Sequence, residues 1–129
     1  MPSAQRFSDL PNVHHRSRGD TLPDYVINVY SATGAPTNLE LPAPPTGITF
    51  TMRSGDDILK VDSQTATLEV GEDGTTKNRL RRVMAAGDVD ETGVFSAEFE
   101  VTYAAGKRTF PTDPIQKLEI QIHDDLNAA

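Results

Sequence analysis

The stretch Phe95-Ser96-Ala97-Glu98-Phe99-Glu100-Val101-Thr102-Tyr103 alternates without an error. Phe95, Ala97, Phe99, Val101 and Tyr103 fall on one side; Ser96, Glu98, Glu100 and Thr102 fall on the other. A period of two sustained this long describes a strand with one buried and one wet face. It does not fit a helix, whose apolar positions recur every three or four residues. A chain that must bury this face is built from sheets.

The same period returns elsewhere. Tyr25, Ile27 and Val29 share a face within Asp24 to Ser31. Ile48, Phe50 and Met52 point in from Gly47 to Arg53, with Thr49, Thr51 and Arg53 pointing out. Ile58 to Val61 is a weaker strand. Thr65 to Val70 puts Ala66, Leu68 and Val70 together, and Leu118, Ile120 and Ile122 make the last strand. Turn chemistry separates them at Thr33-Gly34-Ala35-Pro36, Ser54 to Asp57, Gly71 to Gly74 and Ala104 to Lys107, after which Arg108 to Pro111 returns as a short strand. Thr37 to Leu41 is a short strand at best, because Pro42, Pro44 and Pro45 cannot donate to a ladder. Thr75 to Met84 is the hardest segment. Leu80, Val83 and Met84 do not settle on one face, and a bulge would reconcile them.

Short strands with turns every 8–12 residues predict an all-β fold, an immunoglobulin-like antiparallel β-sandwich of about seven strands. A chain of 129 residues is one such domain. Its expected parts are an extended N-terminal arm at 1–23, the sandwich at 24–123 and a polar tail at 124–129. The arm is read from Pro2, Pro11 and Pro23 and from its lack of any period. The expected core is Ile48, Phe50, Met52, Phe95, Phe99, Val101, Leu118 and Ile120.

Charge narrows the function. The net charge is -7 and the pI about 4.8. A general nucleic-acid binder needs a basic face, so that class is not expected. The charge is uneven. Residues 1–20 carry Arg6, Arg16 and Arg18 against Asp9 and Asp20, a balance of +1; nine basic and seventeen acidic residues remain, a balance of -8. No cysteine is present, which excludes disulfides, zinc ribbons and thiol catalysis. No window approaches the roughly 18 apolar residues of a membrane span. Met1 to Leu10 lacks the apolar core of a signal peptide.

Before the best strand stands Glu91-Thr92-Gly93-Val94-Phe95-Ser96-Ala97, which resembles the approach to strand F of immunoglobulin domains. Phe95 takes the place of the corner Tyr, and Ala97 that of the Cys. A closer resemblance is carried by an ordered set of segments. The first is Gly87-Asp88-Val89-Asp90-Glu91-Thr92-Gly93-Val94-Phe95-Ser96-Ala97-Glu98-Phe99-Glu100-Val101. Gly106-Lys107-Arg108-Thr109-Phe110-Pro111 and Leu118-Glu119-Ile120-Gln121-Ile122 follow, with Gly19-Asp20 and Ile48 to Arg53 upstream. Together they resemble the N-terminal domain of phage baseplate upper proteins over roughly residues 19–122. The resemblance implies an immunoglobulin-like module of a virion protein, made in the host cytoplasm.

Several residues invite chemistry. Asp88, Asp90 and Glu91 could ligate calcium, but their spacing lacks the Gly and distal Glu of an EF-hand loop. Asp88, Asp90 and Gly93 are read as a structural turn. Glu98 and Glu100 share a face as a glycosidase pair could, yet alternation alone puts them there. His14 and His15 are poor chelators without a third ligand, and His123 is remote in sequence. Arg18-Gly19-Asp20 is an adhesion tripeptide only on a loop tip. No catalytic constellation, cofactor site or metal site is expected.

The partner-binding candidates are Arg6, His14, His15, Arg16 and Arg18 in the arm and Arg79, Arg81 and Arg82 in the body. The body cluster is expected to meet an acidic patch on a neighbouring subunit. The expectation is a structural, non-enzymatic module docking in the tail, baseplate or neck of a tailed phage. Its partners would be other virion proteins or further copies of itself, with no nucleic acid and no membrane. Capsid decoration is the alternative within that class. A carbohydrate-binding sandwich is the alternative outside it, weakened by the lack of Trp for sugar stacking.

Overall fold

The computed structural model describes residues 13–111 and 118–124. Nine strands lie within them: β1 Val13–Ser17, β2 Tyr25–Asn28, β3 Gly47–Ser54, β4 Leu59–Thr65, β5 Thr67–Glu69, β6 Arg79–Arg82, β7 Gly93–Tyr103, β8 Gly106–Phe110 and β9 Leu118–His123. A single 3-10 turn, Ala86–Asp88, precedes β7. One sheet runs β1-β9-β7-β3-β4, with β8 also on β7; the other runs β2-β6-β5. The fold is an all-β sandwich, with more strands than the seven expected. Taking β2, β3, β4, β5, β6, β7 and β9 as B, C, C′, D, E, F and G gives the immunoglobulin arrangement.

β7 organises the larger sheet. Its whole inward row, Phe95 to Tyr103, is buried as the alternation predicts. One edge of β7 pairs with β3, where Phe50 faces Phe99 and Met52 faces Ala97. The other edge is shared: β9 takes Gly93 to Ala97 and β8 takes Phe99 to Tyr103. The two sheets meet through aromatic rings. Tyr25 of β2 stacks on Phe99 at 6.1 Å between centroids, and Phe50 meets Phe99 edge-on at 5.1 Å. Of the expected core, Phe50, Met52, Phe95, Phe99, Val101, Leu118 and Ile120 are buried; Ile48 is partly buried and packs against them.

The sequence is hardest to read where the chain changes sheet. β4 pairs with β3 and β5 pairs with β6, and only Ala66 stands between them. Its N–H donates to the Ile48 carbonyl at 3.1 Å. On β4, Val61 and Gln64 oppose Met52 and Phe50, so three steps answer two. Ser63, at φ 50°, supplies the extra residue. A second irregularity follows between Met52 and Arg53. The bulges shift the facing along β4, which is why Ile58 to Val61 shows only a weak period. Beyond them the expected face holds for Ala66, which is buried, and Leu68, which packs against the core; Val70 lies past the end of β5 and is exposed.

Three other segments depart from expectation. Thr37 to Leu41 is not a strand. Leu39 is nonetheless fully buried, and its carbonyl accepts from the Tyr103 hydroxyl at 2.6 Å. Thr75 to Met84 contains only the four residues of β6, with no bulge in its pairing to β2 or β5. Its inward positions are Leu80 and Arg82, so a charged side chain interrupts the apolar pattern; Val83 is exposed and Met84 buried. Finally, the boundary at residue 24 is too late. Val13–Ser17 pairs with β9, the one parallel pair among the described residues. The expected arm therefore contributes a strand, while residues 1–12 lie outside the described ones.

Candidate partner-binding surfaces

The acidic corner before β7 divides into two parts. Asp88 is buried. Its Oδ2 accepts from Arg82 Nε at 3.1 Å, Arg82 Nη2 at 2.9 Å and the Ala85 N–H at 3.0 Å. Arg82 is buried too; its Nη1 donates to the Thr65 carbonyl at 3.1 Å, and its guanidinium lies 5.9 Å from the Phe50 ring centre. The pair thus ties the corner to the point where β4 passes into β5. Asp90 and Glu91 stay exposed and meet Lys60, with Glu91 at 3.5 Å. The Lys60 hydrogen bond holds the Asp90 carboxyl below its ordinary range, and the same bond raises Lys60. Gly93 follows at φ 146°, a region that side chains avoid.

The body arginines face acids of their own chain. Arg81 reaches Glu69 on β5 at 2.7 Å and Asp24, just before β2, at 2.8 Å, spanning the smaller sheet. Arg79 donates to Asn28 Oδ1 at 3.0 Å, with Glu69 at 3.9 Å. Hydrogen bonding to Arg81 lowers Glu69. Arg79, Arg81 and Arg82 therefore act within the sandwich, and Arg82 is not a surface residue. Sequence reasoning located the cluster but not its acids, which come from three separate segments.

The candidates of β1 are brought together at the far edge of the larger sheet. Arg16 points inward and is buried. Its Nη1 donates to the Asp20 carbonyl at 2.8 Å; Nη2 reaches the Pro23 carbonyl and lies 3.0 Å from His14 Nε2. Arg16 thus holds the loop between β1 and β2. His14 meets the Tyr25 ring edge-on at 5.4 Å. Burial lowers the His14 pKa, helped by the charge of Arg16 and by His15. Arg18 pairs with Asp124 at 3.0 Å, and the Gly19 N–H donates to the Val89 carbonyl at 2.8 Å, so the Arg-Gly-Asp turn is tied down. His15 points outward, and its Nδ1 lies 3.0 Å from His123 Nε2 on β9. The parallel pairing that creates this contact has no local sequence signal. Arg6 lies outside the described residues.

Glu98 and Glu100 lie on the wet face of β7, where Lys107 pairs with Glu100 at 3.3 Å. Two of the exposed apolar side chains, Ile58 and Val94, come together at the opposite end of that strand. A hollow between the Ser54 to Ile58 turn and the corner at 91–95 has Ile58 and Val94 on its walls. A second hollow adjoins it and shares Ser54, Gly55, Val94 and Phe95. Ile58 is 65% exposed and Val94 53%. Carboxylates ring the pair of hollows: Asp56 and Glu91 on one, Asp57 and Glu119 on the other. Neither element shows this alone, because Val94 occupies an outward strand position and Ile58 closes a turn. No protein-family model matches this chain, and no curated protein is significantly similar to it.

Proposed function

We propose that the chain is a non-enzymatic structural module that docks onto other proteins of a tailed-phage particle, in the tail, baseplate or neck. The observation that carries a docking role is the acid-rimmed apolar hollow, which brings the exposed Ile58 and Val94 together. Apolar side chains ringed by polar groups have the anatomy of a protein interface, with a desolvated centre and a wet rim. The rim selects a partner with basic side chains around an apolar projection. The phage setting rests on the resemblance to baseplate upper proteins, whose Asp88 to Val101 block forms this corner and the strand after it.

The test has two parts. Mass spectrometry of purified particles should detect the chain in many copies, and the site of antibody labelling should separate a tail location from capsid decoration. In particle assembly, Ile58→Asp and Val94→Asp should reduce incorporation at least tenfold while leaving the circular dichroism spectrum unchanged. Normal incorporation of both variants would remove the hollow from consideration. Absence of the chain from particles would end the virion reading.

A further inference from the structure

We propose that His15 and His123 form a binding site for a divalent transition-metal ion, copper(II) or nickel(II) in preference to zinc. The two residues are 108 positions apart in sequence. They meet because β1 runs parallel to β9, which sets His15 opposite Gln121 and Ser17 opposite His123. Both side chains point outward from the sheet and are exposed. Their rings stack with centroids 5.2 Å apart and planes 16° from parallel.

The ligand type favours the ion. Imidazole nitrogens completed by oxygen ligands suit the tetragonal geometry of copper(II) and nickel(II), and copper(II) stands above zinc in affinity for such sites. The facing nitrogens are 3.0 Å apart and the ring centroids 5.2 Å, so the two nitrogens point nearly at each other, and each ring turns by about 40° to place both at bonds of about 2.0–2.1 Å to one ion. The remaining positions open onto a hollow lined by Ser17 and Asp124, where water completes the shell. Arg18 is matched by Asp124 at 3.0 Å, and Arg16 is turned inward to the carbonyls of Asp20 and Pro23.

The proton balance is simple. At present one nitrogen of the facing pair donates to the other. On binding, the donor ring changes tautomer through water: it gives up the proton between the facing nitrogens and takes one on its far nitrogen. His15 then carries its proton on Nε2 and His123 on Nδ1, and both facing lone pairs are free for the metal. Rotation of the two exposed rings brings them to one point. The site exists only while β1 lies on β9, so the ion joins the two strands and stabilises the folded chain by linkage.

The experiment is copper(II) titration of the full chain at pH 7.5, followed by electron paramagnetic resonance and by thermal midpoint. One ion per chain with nitrogen hyperfine structure is expected, together with a raised midpoint that a chelator reverses. His15→Gln and His123→Gln, exposed changes that leave the core untouched, should each weaken binding at least about tenfold. His14→Gln should retain it. Undiminished binding in both single variants would overturn the proposal, as would no binding below millimolar copper.

Discussion

Phe99 is fully buried at the meeting of the two sheets, between Phe50 on its own sheet and Tyr25 on the other. Phe99→Ala should cost about 3–5 kcal/mol, because neither neighbouring ring can collapse into the space. Urea denaturation measures it, and a loss below about 1 kcal/mol would place the core elsewhere. Gly71 is a different case. A Cβ built there would fall 1.8 Å from the Oδ1 of Asn78, a buried side chain whose Nδ2 donates to the Val29 carbonyl at 2.9 Å. Gly71→Ala should therefore displace Asn78 and cost about 1–3 kcal/mol, the penalty of a broken buried hydrogen bond. Asp88→Ala should cost about 3–5 kcal/mol by leaving Arg82 buried and unpaired. The double change Arg82→Met with Asp88→Leu should recover much of that loss, since the penalty lies in the uncompensated charge. Phe99 was legible from its strand alone, because alternation is local. Arg82 was not: a charged residue at an inward position looks like surface until its carboxylate is brought beside it from beyond the next turn.

At the scale of elements, β1 carries the clearest consequences. Removing residues 1–18 should destabilise the domain. The deletion strips the parallel partner from β9 and takes away Arg16, which holds the loop to β2. Denaturation beside the full chain makes the comparison, and equal midpoints would show that β1 contributes nothing. β1 should also be sensitive to pH. The folded-state pKa of His14 lies below its ordinary 6.5. Its contribution is present above pH 6.5 and is lost as the pH falls toward the folded value, because the unfolded chain takes the proton first. Protection of the β1 amides, taken relative to their intrinsic exchange rates, should fall as the pH drops below about 6.5 while β7 stays protected, and His14→Gln should remove the effect. The prolines and missing period of residues 1–23 gave no hint of β1. A five-residue parallel strand draws its register from β9, not from its own pattern. β4 was obscured for the opposite reason, its pattern being present but twice shifted by bulges.

Across the whole molecule, several carboxylates are held in their charged form by neighbours. Asp73 is lowered to about 2, chiefly by the Thr76 hydroxyl and then by the N–H groups of Thr75 and Thr76. Glu69 is lowered by Arg81 and Asp90 by Lys60. Depressed acids add stability above their ordinary values of 4.5 and 3.8 and lose it as the pH falls through the folded ones. Stability by urea titration should thus decline between about pH 4.5 and 2, and Asp73→Asn should flatten the lower part of that decline. A constant value across the range would contradict these assignments.

The position of β9 bears on how the protein is made. Translation delivers β1 first and β9 last, yet β9 is the strand between β1 and β7. While the ribosome is still adding residues before 118, β1 has no ladder to join and the lower half of β7 has one bare edge. A nascent chain stalled there can build the β3–β7 pairing and the smaller sheet, but it carries two unsatisfied strand edges that invite a neighbour on the same polysome. The step that closes the sheet is a late insertion.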